Sequence, residues 1–213
     1  MSTLRPVLFD LDGTLIDSVR LILDSYHHVV REHGLAPRTD DEWLAGLGTP
    51  LTTQFRQYVD DDALMQELIV TYRAYNLAHH DQMVTIYPGI LELVTEIKRR
   101  GHPTALVTSK NRSGAERGLK LVGLQPYFDV LVGADDVTNP KPHPEPVHLA
   151  LERLGVPHDG ALFVGDSTHD VHAGNAAGVA TVAVLWGPFT RAQLAPSLPK
   201  HWVHAPHELL ALL

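Results

Sequence analysis

Short apolar runs alternate along the chain with longer segments in which apolar residues recur every three or four positions. The short runs are typical of buried strands, and the longer segments are typical of amphipathic helices that stop at glycine, as "ILELVTEIKRRG" does at Gly101. This alternation predicts an α/β fold, with a Rossmann-like parallel sheet and helices on both faces. The predicted strands are Val7–Phe9, Thr104–Val107, Val130–Val132, Ala161–Val164 and Thr181–Leu185.

One interval, residues 16–83, carries only helical patterns. It includes a capping box that begins at Thr39 and has Glu42 three residues later, and Pro50 stands where the next helix would begin. Roughly seventy residues without a strand are too many for a single crossover connection. The sequence therefore predicts a helical cap over residues 16–83, inserted after the first strand into an α/β core formed by residues 1–15 and 84–213.

Composition narrows the classes of function. The 213 residues carry a net charge of −8 and include no cysteine, which excludes disulfides, thiolate metal sites and a cysteine nucleophile. Lysine and arginine form no cluster, so we expect no nucleic-acid partner. The N-terminal sequence has neither a secretory signal nor a membrane span, so we expect a cytoplasmic protein with no membrane partner.

Polar side chains follow the predicted strands at the points where the strands end, and a lysine between two prolines lies in the loop after the third strand. The carboxyl ends of parallel strands meet at one edge of a sheet, so we expect these side chains to converge there. Carboxylates suit a hard cation such as Mg²⁺, and hydroxyl and ammonium groups suit a phosphoryl group. The residues are Asp10, Asp12, Thr108, Ser109, Lys141, Asp166 and Asp170.

These residues fall in four motifs that, in chain order, resemble the four signatures of the haloacid dehalogenase phosphatase superfamily. "DLDGT" at residues 10–14 is similar to the first signature, Thr108 to the second, Lys141 to the third, and "GDSTHD" at residues 165–170 to the fourth. The predicted insertion resembles the helical cap of the family. Within the family the chain most resembles phosphoglycolate phosphatases and a related bacterial pyrophosphatase, through "YRAYNLAHHD" and "YFDVLVGADDV".

The resemblance implies an Mg²⁺-dependent phosphohydrolase that acts through an aspartyl-phosphate intermediate. Its substrate would be a small anionic phosphorylated metabolite, such as phosphoglycolate, or pyrophosphate. Asp10 would be the nucleophile, and Asp12 would donate a proton to the leaving oxygen and later activate water. We expect the negative charge of Asp10 to raise the proton affinity of Asp12.

The resemblance also implies roles for the remaining residues. Asp10, the backbone carbonyl of Asp12, and Asp166 would hold Mg²⁺, with Asp170 as a more distant or water-mediated partner. Thr108 and Lys141 would stabilise charge on the transferring group. The phosphoryl group itself would be bound by Thr108, Ser109 and Lys141.

Other interpretations remain open on the sequence. A phosphomutase would use the same Asp10 and Asp12, whereas a 2-haloacid dehalogenase lacks a carboxylate at the second position, and a non-catalytic binding module would not need these groups together. Asp170 is also placed to interact with the N-terminus of its own helix. Gly46-Leu47-Gly48 is either a simple turn or a cap loop that contacts substrate.

One helical face of the predicted cap carries polar residues. Arg73, Asn76 and His80 are spaced by three and four positions and so lie along one side of a helix. This face is either solvated or turned towards the site, where it would meet an anionic leaving group.

Overall fold

The computed structural model describes residues 4–213, which form eight strands and nine α-helices. All five predicted strands are present, and their ends differ from the prediction by at most one residue. The strands are β1 (Val7–Phe9), β2 (Ile16–Asp17), β3 (Thr85–Ile86), β4 (Thr104–Val107), β5 (Val130–Val132), β6 (Leu162–Gly165), β7 (Ala180–Val184) and β8 (His201–Val203). The helices are α1 (Val19–Glu32), α2 (Asp40–Leu44), α3 (Leu51–Phe55), α4 (Asp62–Met83), α5 (Ile90–Arg99), α6 (Arg112–Leu121), α7 (Glu145–Leu154), α8 (Thr168–Ala176) and α9 (Arg191–Leu194).

Six strands form one parallel sheet in the order β5-β4-β1-β6-β7-β8. Strand β1 lies inside the sheet, between β4 and β6, so the ends of these three strands are neighbours. The remaining strands, β2 and β3, pair with each other antiparallel in a separate two-stranded ribbon. The sheet confirms the predicted α/β class, although β8 and the ribbon are additions that the sequence patterns did not predict.

Apolar side chains cover both faces of the sheet. Successive strand residues point to opposite faces, and accordingly Val7 and Phe9 pack in one cluster with α5 and α6, whereas Leu8 packs in another with α7 and α8. Burial on both faces explains why the strands read as continuous apolar runs rather than as alternating ones. The predicted helices on both faces are therefore confirmed.

Helices α1 to α4 lie between β2 and β3 and share an apolar cluster of their own. Tyr26 of α1 stacks on Trp43 of α2, with ring centroids 4.2 Å apart, and Phe55 and Tyr72 complete an aromatic centre. The capping box of Thr39 and Glu42 is present, which confirms that helix start.

A separate apolar cluster supports our proposal that residues 16–83 form a cap domain on the sheet. Ile16 of β2 packs with the apolar cluster of the sheet rather than with the cluster of α1 to α4. The chain therefore enters and leaves the segment of α1 to α4 through the ribbon of β2 and β3. Residues 1–3 of the predicted core lie outside the described residues. Within residues 4–213, no helix is both long enough and apolar enough to cross a membrane.

Candidate active site

The ends of β1, β4 and β6 place polar residues at one edge of the sheet. Asp10 follows β1 and donates its backbone N–H to the carbonyl of Val164 at 2.9 Å, and Thr108 follows β4 and donates to the carbonyl of Val132 at 3.0 Å. Asp166 follows β6. A cavity of about 770 Å³ opens above this edge, lined by Asp10, Asp12, Thr108 and Asp166 from the sheet side and by residues of α1 and α4 from the cap side.

Lys141 reaches this edge from the loop before α7. Its side chain is 1% exposed, and Nζ donates to Asp10 Oδ1 and to Asp170 Oδ1, each at 2.6 Å, and to the carbonyl of Val107 at 3.3 Å. Burial alone would lower the pKa of Lys141, but the charges of Asp10 and Asp170 outweigh burial and hold the pKa above its ordinary value. Lys141 is therefore a fixed positive charge in contact with the predicted nucleophile.

Three buried carboxylates surround that charge. One oxygen from each of Asp10, Asp166 and Asp170 lies within 4.8 Å of the others. Burial raises the pKa of Asp10 to about 7 despite Lys141, and burial together with the charges of Asp170 and Asp10 raises the pKa of Asp166 well above its ordinary value. The fold thus places three carboxyl groups around one lysine, and the raised pKa values show that their full ionisation is costly without further positive charge.

The donor set fits a divalent cation. Three ionised carboxylates and one ammonium leave two negative charges, which a divalent cation would balance, and carboxylate oxygens are the ligands that hard cations prefer. Asp166 Oδ1 accepts from the Thr14 hydroxyl at 3.0 Å, but its buried Oδ2 has no hydrogen-bond partner within residues 4–213. A buried polar atom without a partner is costly unless a ligand satisfies it. The triad can therefore hold a metal ion.

Asp170 serves its helix and the site together. Its Oδ2 accepts from the backbone N–H and the hydroxyl of Ser167, at 3.0 and 2.6 Å, in a capping box at the start of α8. Its Oδ1 accepts from Lys141. The two interpretations of Asp170 are thus compatible, because the capping box of α8 holds one carboxylate oxygen while the other oxygen accepts from Lys141.

Asp12 differs from our expectation. We expected Asp10 to raise its proton affinity, but the pKa of Asp12 is lowered: burial would raise it, and the charge and hydrogen bond of Lys110 and the hydroxyl of Ser18 prevail. Lys110 Nζ and Ser18 Oγ both donate to Asp12 Oδ1, at 2.7 and 2.5 Å. The expectation was wrong because two donors from neighbouring loops act on this carboxylate more strongly than Asp10 does.

The two hydroxyls after β4 have different surroundings. Thr108 lines the cavity, and its Oγ1 accepts from the backbone N–H of Lys110 at 3.2 Å, which leaves the hydroxyl proton free for a ligand. Ser109 also lines the cavity, but its Oγ donates to the carbonyl of Gly48 at 2.5 Å. In this conformation Ser109 therefore joins the sheet edge to the cap rather than offering its proton to a phosphate.

The loop at Gly46-Leu47-Gly48 contacts the sheet edge on two sides. Gly48 has φ +94°, and a Cβ there would lie 2.8 Å from Ser167 Oγ, so both backbone conformation and space require glycine. The carbonyl of the same glycine accepts from Ser109. A turn that only joins two helices would not require these contacts with Ser109 and Ser167. They place the loop of residues 46–48 at the rim of the cavity.

Gly13 offers a direct test of how tightly the edge is packed. Its φ is +86°, and a Cβ there would lie 2.4 Å from Asp166 Oδ2. We expect Gly13→Ala to lose stability through backbone strain of about 1–3 kcal/mol and to displace Asp166, which would reduce the thermal stabilisation given by Mg²⁺. Thermal unfolding with and without the ion measures both effects.

Gly123→Ala is the matched control for that variant. Gly123 has a similar φ of +73° with no atom within 4 Å of a built Cβ, so this substitution carries the backbone strain alone. Equal losses of melting temperature and equal Mg²⁺ shifts in the two variants would show that Gly13 is not needed to make room for Asp166.

Sequence reasoning did not identify Lys110, Ser18 and Thr14 as parts of the site. Lys110 lies two residues after Thr108 and Ser18 lies at the start of α1, so proximity in sequence to the predicted residues was the available signal. Their side-chain directions depend on loop conformation, which hydrophobic periodicity does not report.

Comparison with known proteins places the chain among a group of hydrolases. Residues 7–184 match the haloacid dehalogenase-like hydrolase family. The pyrophosphatase PpaX of Bacillus cereus (strain AH820) is 40% identical over 210 residues, which cover 99% of this chain and 96% of that protein.

Solved structures agree over nearly the whole chain. A candidate haloacid dehalogenase-like hydrolase from Bacteroides fragilis superposes with a TM-score of 0.90 at 27% identity, covering 97% of this chain and 100% of the other. A candidate phosphoglycolate phosphatase from Lactobacillus plantarum superposes with a TM-score of 0.87 at 26% identity, covering 99% and 100%. Helices α1 to α4 and the sheet therefore both have counterparts in these structures.

Proposed function

We propose, from the premise that this chain belongs to the haloacid dehalogenase-like hydrolase family, that it hydrolyses phosphate esters or pyrophosphate through a phosphoryl group carried on Asp10. Its relatives include proteins named pyrophosphatase, and its structural neighbours include proteins named phosphatase, so the chain is a phosphatase enzyme. The observation that carries the finer proposal is the 2.6 Å contact between Lys141 and Asp10 beside the acidic triad. A fixed cation next to a carboxylate at a cavity floor suits attack on a phosphoryl group.

Asp10 supplies the nucleophile in this proposal. Its Oδ1 accepts from Lys141, and no hydrogen bond within residues 4–213 occupies Oδ2, which is therefore the oxygen free to attack phosphorus. The new bond joins Oδ2 to phosphorus while the bond from phosphorus to the leaving oxygen breaks. Water then cleaves the aspartyl phosphate, which releases phosphate and restores the carboxylate.

Lys141 and Thr108 stabilise the charge that spreads over the phosphoryl oxygens. Phosphoryl transfer demands mainly positioning and electrostatic stabilisation from a protein. Lys141 keeps Asp10 in place and adds a positive charge, and Thr108 offers a hydroxyl proton at the rim of the cavity. Neither group needs to change its protonation state.

Asp12 transfers protons in both steps of the proposed reaction, to the leaving oxygen and from the attacking water. Its lowered pKa means that it is ionised before substrate arrives, which suits it to take a proton from the attacking water in the second step. To donate in the first step, Asp12 must first take up a proton, from bulk water or from a phosphoryl group that binds as the monoanion. Substrate oxygens that accept the hydrogen bonds of Lys110 and Ser18 would favour this uptake, because those bonds no longer stabilise the carboxylate.

Asp10, Asp166 and Asp170, together with the backbone carbonyl of Asp12, are the groups that would hold Mg²⁺. When bound, Mg²⁺ would add positive charge beside the phosphoryl oxygens and keep the carboxylates ionised. Phosphate release assayed with Mg²⁺ and with a chelator, over pyrophosphate, phosphoglycolate, sugar phosphates and p-nitrophenyl phosphate, tests this proposal. Hydrolysis of none of them in the presence of Mg²⁺ would refute it.

Asp12→Asn tests the proton-transfer role. We expect kcat for alkyl phosphates, whose leaving oxygens need a proton, to fall by about 10²–10⁴-fold. The loss should be smaller for p-nitrophenyl phosphate, whose phenolate leaves readily. The measurement is kcat for both substrates at saturation.

Asp17→Asn is the control, because Asp17 is a nearby exposed acid that does not line the cavity. Equal losses for both substrates in Asp12→Asn would assign Asp12 to holding Lys110 and the metal rather than to proton transfer.

A further inference from the structure

The segment that follows strand β7 lies against the turn after β1 and against Asp166. We propose that Trp186 in this segment is a positioning residue for the metal site: it holds Thr14, and Thr14 holds Asp166 so that one carboxylate oxygen stays available to the cation. Trp186 does not line the cavity, so it acts through these two residues rather than on substrate. The inference rests on the proposed binding of Mg²⁺ at Asp10, Asp166 and Asp170.

One hydrogen bond joins Trp186 to the turn after β1. The indole Nε1 donates to the carbonyl of Thr14 at 2.9 Å. Thr14 is fully buried, so bulk water has no access to this carbonyl and cannot replace the indole as its donor. A buried carbonyl without a partner is costly. The conformation of the turn at Thr14 therefore depends on the indole.

The hydroxyl of the same threonine contacts the proposed metal ligand. Thr14 Oγ1 donates to Asp166 Oδ1 at 3.0 Å, and Asp166 is 1% exposed. With Oδ1 engaged, the buried Oδ2, which has no hydrogen-bond partner within residues 4–213, is the oxygen left for a cation. Thr14 thus contacts Trp186 through its carbonyl and Asp166 through its hydroxyl, so a displacement at the first contact is passed to the second.

Close packing ties the segment after β7 to the same two features. A Cβ built on Gly187, the next residue, would lie 2.7 Å from Asp166 Cβ and 2.7 Å from the carbonyl oxygen of Gly13. Gly187 does not have a positive φ, so lack of space alone requires glycine here. The segment therefore lies directly against both the carboxylate and the turn, and it cannot shift without displacing them.

The order of the strands explains why a residue after β7 can take this role. Strand β6 lies between β1 and β7, so the segments that follow β1 and β7 flank Asp166 on its two sides. A carboxylate that binds a metal is oriented by the hydrogen bonds of its other oxygen, and loss of such support commonly lowers metal affinity by about 10- to 100-fold. Trp186 supports the turn that supplies this hydrogen bond.

Mg²⁺ binding to the protein without substrate tests the inference. Trp186→Phe keeps an aromatic ring against the apolar cluster of the sheet but removes the donor, and the dissociation constant for Mg²⁺, measured by calorimetric titration, should rise by about 10-fold. Thr14→Val should raise it by about 10- to 100-fold, and Thr14→Ser, which keeps a hydroxyl, should recover most of the affinity. A high concentration of Mg²⁺ should restore much of the phosphate release of Trp186→Phe.

A double variant shows whether Trp186 acts through Thr14. In Thr14→Val no hydroxyl contacts Asp166, so adding Trp186→Phe should change the dissociation constant for Mg²⁺ by about twofold or less. Two independent defects would instead multiply their separate effects. Multiplied losses would therefore overturn the action of Trp186 through Thr14.

Two control variants match the two substitutions. Trp202→Phe changes a half-buried tryptophan of β8 that stacks with Arg191, and Thr181→Val removes a buried hydroxyl that donates to Asn175 at 2.9 Å. Thr181→Val should lower the melting temperature, because it leaves Asn175 without this donor. Neither control should change the dissociation constant for Mg²⁺.

The outcomes separate this inference from the function on which it rests. A wild type that binds no Mg²⁺ would overturn the proposed metal site and the positioning role with it. Equal dissociation constants in wild type and Trp186→Phe would overturn the positioning role alone and assign Trp186 to packing. A wild type that binds Mg²⁺ but hydrolyses no phosphate compound would overturn the proposed function, whereas weaker Mg²⁺ binding in Trp186→Phe would still support the positioning role.

Discussion

Asp10→Asn is expected to lower kcat by about 10⁴-fold or more, the scale of loss when a covalent nucleophile is removed. The amide has the shape of the carboxylate but cannot form an aspartyl phosphate. Burial raises the pKa of Asp10 to about 7, so the folded protein holds a negative charge there at a cost near neutral pH. The amide removes this cost, and the melting temperature measured without metal should equal or exceed that of wild type.

Kinetics, thermal unfolding and trapping together check this prediction. Beryllium fluoride, a mimic of the phosphoryl group on aspartate, should stabilise wild type in the presence of Mg²⁺ and should leave Asp10→Asn unchanged. Asp159→Asn is the control, since its carboxylate is 89% exposed and Asp159 precedes β6, whereas the site residue Asp166 follows that strand. An Asn variant with wild-type turnover would remove Asp10 from the mechanism.

The sheet could be predicted from the sequence because its central strands are buried on both faces. Val7–Phe9 is an uninterrupted apolar run, and Thr104–Val107 is apolar after its first residue; burial of every residue on both faces of a parallel sheet produces this pattern. Strand β8 was not predicted because it has only three residues and lies at the sheet edge, where His201 and Trp202 are half-buried. The ribbon of β2 and β3, with two residues in each strand, is too short to show a period.

The candidate site was predictable to the extent that strand ends determine it. Asp10, Thr108 and Asp166 directly follow strands, so the topology alone brings them together. The state of Asp12 was not predictable, because it depends on Lys110 and Ser18, whose side chains approach from loops. Long polar side chains in loops have many rotamers, and only the packed structure selects among them.

The cap helix shows the same limit in another form. Spacing alone placed Arg73, Asn76 and His80 on one face, but it could not distinguish a solvated face from one that lines a cavity. In the structure the three residues diverge: Asn76 bonds inside the cap, His80 is buried, and Arg73 is exposed at the cavity. Helical periodicity predicts which side of a helix a side chain projects from, whereas its burial depends on which other elements pack against that side.

Lys141→Met should destabilise the protein strongly as well as inactivate it. Lys141 is the shared partner of Asp10 and Asp170 in a site where its own side chain is 1% exposed. Removing one partner of a buried ion pair leaves an uncompensated charge and costs about 3–5 kcal/mol. At about 2–4 °C per kcal/mol for a chain of this size, the melting temperature in chelator should fall by roughly 6–20 °C.

Lys98→Met is the matched control, because Lys98 pairs with Asp129 where both side chains are at least one-third exposed. Such surface pairs contribute about 1 kcal/mol or less. Mg²⁺ should raise the melting temperature of Lys141→Met more than that of wild type, since the ion replaces the lost positive charge and no longer competes with the ammonium for the oxygens of Asp10 and Asp170. Equal melting temperatures for the two lysine variants in chelator would contradict the prediction.

Combining Lys141→Met with Asp10→Asn separates the charge effect from the loss of packing. If the penalty comes from unpaired carboxylates, the lysine substitution should cost less in the Asp10→Asn background, where one of its two anionic partners is already neutral. If the penalty comes from packing of the lysine chain against its surroundings, the two substitutions should add. Residues in direct contact commonly show such coupling. Both backgrounds are expected to be inactive, so the free energy of unfolding is the measurement that decides between the two causes.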